Sequence, residues 1–143
     1  MKTSVVHGLA GLFALAFGAS LAAAQSTAMP RPPEELLKMR QAFAAAALAG
    51  NAEAAAKLSH FPLEISATKG GRTISRAEFI KRFREDFTEH EDVVYCWQNR
   101  NLEMEYRNGM SNFRVWHLDC GNAVYNFTIF DGRWLYTGYR SGG

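Results

Sequence analysis

The 143-residue sequence has only two cysteines, and it lacks an excess of charge of either sign, with 16 Lys and Arg against 14 Asp and Glu. Two cysteines cannot build a multi-cysteine zinc or iron–sulfur centre. A formal charge of +2 supplies no concentrated basic surface of the kind nucleic-acid binding needs. Of the four histidines, His7 lies near the start, and His60, His90 and His117 are scattered without His-x-His or His-x-x-x-His spacing. No cofactor is implied. No internal repeat appears, and past residue 24 no apolar run reaches the ~20 residues of a membrane span. What remains is a chain with 48% hydrophobic and 21% charged residues, enough for one globular core and too apolar for disorder.

The first 24 residues read as a secretory signal peptide. Met1-Lys2 is a short basic start, Val5 to about Phe17 is apolar, and Ala22-Ala23-Ala24 offers small residues for cleavage before Gln25. Gly18 and Ser20 interrupt the run, which argues against a retained anchor. Cleavage removes Lys2 alone among charged side chains, leaving 119 residues with 15 cationic and 14 acidic groups. The expectation is an exported chain, periplasmic or secreted, in an oxidising compartment where Cys96 and Cys120 can pair.

Residues 25–32 (QSTAMPRP) form a proline-bearing leader, and 33–140 form the domain. Pro33, Glu34 and Glu35 suit a helix start. Leu36, Leu37, Met39, Phe43, Ala44, Ala47 and Leu48 recur with helical spacing. Gly50 ends this helix, and Asn51 caps a second reaching about Ser59. His60 to Ile65 is extended, Lys69 to Arg72 turns, and Thr73-Ile74 is a short strand. Ser75-Arg76-Ala77-Glu78 is a capping box before the apolar stripe Phe79, Ile80, Phe83 and Phe87. The charges from Lys81 to Asp86 read as a solvated face.

From Val93 onward the pattern is β, with 11 of the 16 aromatics beyond residue 24 lying between Tyr95 and Tyr139. Turn signals at Asn108-Gly109, Asp119 to Asn122 and Asp131-Gly132 divide it into four antiparallel strands, 93–106, 110–118, 123–130 and 133–140. A three-residue loop centred on Asn108 sets Cys96 opposite Cys120, within disulfide range. The alternative is two buried thiols. The same register sets Trp97 opposite Asp119, Asn99 opposite His117, Glu103 opposite Phe113, and Arg100 opposite Trp116 in a cation–π contact.

The order of elements resembles the NTF2-like (cystatin-like α+β) superfamily, in the broad sense that includes SnoaL-type cyclases and ketosteroid isomerase. The residues carrying the likeness are Gly50 to Glu53 with Leu58 to Leu63, Ile74 to Phe79, and Phe130 to Trp134. The resemblance implies an α+β cone, two to three N-terminal helices on a curved antiparallel sheet, with a cavity between them and often a homodimer through the sheet. It implies no single activity. The Tyr/Asp/Asp set of ketosteroid isomerases and the paired histidines of scytalone dehydratase find no match here.

Three functions follow as expectations. The first is a binding module taking a small apolar ligand in the cone or a protein partner on the sheet, with Trp97, Asn99, Tyr125, Phe127, Trp134 and Tyr136 as pocket candidates. The second is a cofactor-independent isomerase, dehydratase or hydrolase in which His117 acts as a base oriented by Asp119. The third is a purely structural homodimerisation domain, which requires a filled cone.

Overall fold

The computed structural model describes residues 30–67, 70–106 and 114–141. The expected signal peptide, most of the expected leader and the expected Asn108-Gly109 turn lie outside the described residues. The fold is α+β, with the helices packed on one face of a curved sheet. Helix α1 spans Glu34–Leu48, whose sequence is rich in alanine and in unbranched residues that favour helix. It ends in a Schellman motif: Gly50 turns to φ +62°, and Asn51 N–H donates to the Ala46 carbonyl at 2.8 Å. The Asn51 side chain then caps α2 (Ala52–Lys57) by accepting from Ala54 N–H at 3.0 Å. Ser75 caps α3 (Arg76–Phe83) through Glu78 N–H, and a π-helical turn at Arg84–Thr88 continues it.

The sheet has six strands, β1 (Ser59–Ala67), β2 (Gly70–Ile74), β3 (Glu103–Tyr106), β4 (Arg114–Asp119), β5 (Ala123–Phe130) and β6 (Arg133–Ser141), in the order β2-β1-β6-β5-β4-β3. The Asp131-Gly132 turn forms as expected, with both residues at positive φ and Phe130 opposite Arg133. The last four strands pair antiparallel as expected, and β1 joins the same sheet by running parallel to β6, which makes the whole sheet mixed. That pairing joins residues more than seventy positions apart, which local patterning does not report. It also demands glycine at 138, where φ is +136° and a Cβ would stand 1.9 Å from the Glu64 carbonyl oxygen.

The largest correction concerns the expected strand 93–106. Residues Glu91–Asn99 form helix α4, and only Glu103–Tyr106 is strand. The β-prone run Val93-Val94-Tyr95 is overridden by packing: Val94 and Trp97, three apart, bury one helical face, while Glu91 and Asp92 favour the helix start. Register shifts with it. Glu103 faces His117 and Met104 faces Trp116. Trp97 is therefore not opposite Asp119, nor Asn99 opposite His117, nor Glu103 opposite Phe113. Arg100 closes α4 on the surface and makes no rung with Trp116. The Cys96–Cys120 disulfide is present, with Cα atoms 5.8 Å apart, but it ties α4 to the turn after β4 instead of bridging two strands.

Candidate functional site

The space between helices and sheet is filled by aromatic rings. Phe43 stacks on Trp97 at 4.2 Å, and Phe83 stacks on Phe87 at 5.2 Å. Trp97 meets Phe127 and Tyr136 edge-on, at 5.3 and 5.6 Å. Trp97, Phe127 and Tyr136 are each at most 1% exposed. Four of the six expected pocket residues (Trp97, Tyr125, Phe127 and Tyr136) therefore meet in one cluster as packing. Asn99 is exposed at the end of α4, donating to the Tyr95 carbonyl at 2.8 Å. Trp134 pairs with Ile129 in the hairpin and lines a separate shallow cleft beside Pro30 and Pro33.

His117 and Asp119 share the sheet face turned away from the helices. His117 Nε2 lies 3.5 Å from Glu103 Oε2. Asp119 Oδ1 accepts from Gly121 N–H at 2.7 Å, a local turn contact. The two side chains do not point into the aromatic interior.

The polar chemistry adjoining that interior is at its open end. There a cleft of about 280 Å³ is lined by Asp86, His90, Asp92, Val93, Tyr125 and Tyr139, among others. The π-helical turn after α3 places Phe87 in the core and Asp86 at the rim; widened turns of this kind recur at functional sites. Arg82, one turn earlier, donates to Asp86 Oδ1 at 2.9 Å. Burial pushes the pKa of the Tyr125 hydroxyl well above the ordinary tyrosine value, and neighbouring Tyr139, Asp86 and Asp92 push the same way. Tyr139 is also raised, first by burial and then by Asp86, with Arg82 and Arg72 opposing. Both phenols therefore remain protonated at neutral pH and can donate hydrogen bonds.

Arg82 and Asp86, expected on a solvated face, pair beside this cleft. The available signal was their i, i+4 spacing along a helix whose other side is Phe79, Phe83 and Phe87. Among the described residues no group of three or more His, Cys, Asp or Glu is arranged to hold a metal ion.

No family model and no curated protein matches the chain. Solved structures do resemble it. An NTF2-like protein of unknown function from Shewanella oneidensis is 13% identical, with 76% of this chain and 97% of that one covered and a TM-score of 0.43. An NTF2-like protein from Cytophaga hutchinsonii is 12% identical over 75% and 93%, with a TM-score of 0.43. A protein of unknown function with a cystatin-like fold from Nostoc punctiforme is 10% identical over 76% and 87%, with a TM-score of 0.44.

Proposed function

We propose that the chain is an exported NTF2-like binding module that takes a small ligand at the open end of its cone. One observation carries this reading: the interior is packed with rings, while hydrogen-bonding groups converge at the rim on Asp86, Tyr125 and Tyr139. Two protonated phenols as donors favour a compact apolar molecule bearing a carbonyl, while the carboxylates of Asp86 and Asp92 disfavour an anionic one. The apolar wall is Phe87 and Val93. Export is supported by the N-terminal pattern of residues 1–24 and by the Cys96–Cys120 disulfide. The His117–Asp119 pair faces away from the cone, which favours binding over the isomerase, dehydratase or hydrolase alternative.

Native mass spectrometry of the purified protein tests this. A co-purifying small molecule that is lost from Tyr139→Phe and Asp86→Asn supports the reading. A bound molecule retained equally by both variants contradicts it.

A further inference from the structure

A groove opens on the outer face of the sheet, where β1 departs from regular pairing. Ser59 sits beside Tyr136 and Glu64 beside Gly138, so five steps along β1 match two along β6. The surplus chain brings His60 and Pro62 over the outer face, beside a groove of about 340 Å³. That volume falls within the range of small-ligand sites. His60 stacks flat on Phe130, with centroids 3.8 Å apart and planes 3° from parallel, forming one wall. Exposed Glu64, with Thr128 and Thr137, contributes the remaining polar lining, and Asn126 lies at its base.

The polar atoms here are mainly acceptors. Asn126 Oδ1 is buried with no hydrogen-bond partner, and so is Nδ1 of His117, its cross-strand neighbour. With His117 Nε2–H turned toward Glu103, Nδ1 presents a lone pair. Thr137 spends its own hydroxyl proton on the Asn126 carbonyl at 3.2 Å, leaving oxygen lone pairs. Asn126 carries a donor as well as an acceptor: rotation about its soft terminal torsion turns Nδ2–H toward His117 Nδ1 and Oδ1 toward the groove, where that oxygen still wants a donor. Among the groove-lining residues the one carboxylate is Glu64, and none is a lysine or arginine. Arg140, on the same face, is engaged by Glu105 at 3.4 Å.

We propose that this groove binds a small organic cation, a guanidinium or primary ammonium. Its N–H groups reach Glu64, Asn126 and the threonine oxygens, and its charge rests against the His60–Phe130 stack. The site is separate from the cone mouth and does not depend on that reading.

Agmatine, which carries both cationic groups, is the probe. Titrated into ¹⁵N-labelled protein, it is expected to shift the amides of Asn126, Thr128 and Thr137 to saturation, while n-pentanol leaves them unmoved. Glu64→Gln should weaken binding by about tenfold, the loss of one charge-assisted hydrogen bond. Thr128→Val, which leaves the charge intact, supplies an independent variant and should weaken binding several-fold. The proposal is overturned if those amides do not move, if both variants bind as the parent does, or if shifts appear only around Asp86 and Tyr139. It is overturned equally if sedimentation shows a dimer whose outer-face amides are insensitive to agmatine, since a second copy would then occupy the face.

Discussion

Phe43 in α1 and Trp97 in α4 lie face to face, with ring centroids 4.2 Å apart and planes 18° from parallel. The contact explains why residues 91–99 coil where their composition favours strand. As a helix the segment delivers Trp97 into the ring cluster and brings Cys96 to Cys120. The Arg40 guanidinium reinforces the arrangement by donating to the Arg100 carbonyl, which ends α4. The same packing fills the space between helices and sheet and leaves Asp86 and Tyr139 at its rim.

Trp97→Ala should destabilise the protein by about 4 kcal/mol, the cost of emptying a large buried aromatic site. Trp97→Phe should cost far less, because the indole N–H is buried without a partner and its loss removes no hydrogen bond. Urea unfolding of the two variants measures the difference.

The disulfide closes a loop of 24 positions, and constraint of the unfolded chain gives it about 3 kcal/mol. Reduction, or Cys96→Ser with Cys120→Ser, should lower the unfolding midpoint without altering the far-ultraviolet spectrum at low temperature. A midpoint unchanged by reduction would show that packing alone holds α4.

Gly138→Ala should be among the most damaging single changes. The new Cβ meets the Glu64 backbone, which cannot move without parting β1 from β6. We expect loss of soluble protein or a fall in stability of about 3 kcal/mol or more, read by thermal unfolding.

The tyrosines give a signed pH dependence. Tyr125, Tyr136 and Tyr139 all ionise above the ordinary value of 10.0, chiefly through burial. For a group raised in the folded state, the stabilising contribution is complete below the unfolded value. Stability should therefore hold up to about pH 10 and fall above it, as the unfolded chain releases protons that the folded one retains. Site-resolved titration by NMR should show Tyr125, Tyr136 and Tyr139 ionising late, and ionisation of these three near the ordinary value in folded protein would refute this.

Much of the helical half was legible because its signals are local. The Asn51 cap, the Ser75 capping box and the Phe79, Phe83, Phe87 stripe sit within a few residues of what they stabilise. The Asp131-Gly132 hairpin was legible for the same reason. The cysteine pairing was read correctly from a register that the fold does not use, since 5.8 Å between Cα atoms suits a helix beside a turn as well as two opposed strands. The parallel β1–β6 contact and the helical state of 91–99 depend on partners far along the chain. The candidate site was harder still. Asp86 and Arg82 resemble ordinary surface charges until the turn at Arg84–Thr88 sets them beside Tyr125 and Tyr139.

The most direct test of a filled cone with binding at its mouth is an NMR titration with cyclohexanone, a compact apolar molecule bearing one carbonyl. Signals of Val93, Tyr125 and Tyr139 should move with a common affinity while those of Phe43, Trp97 and Phe127 stay fixed. Movement of the interior rings together with Trp97, at the same affinity, would contradict the account by showing that the core opens to admit the ligand.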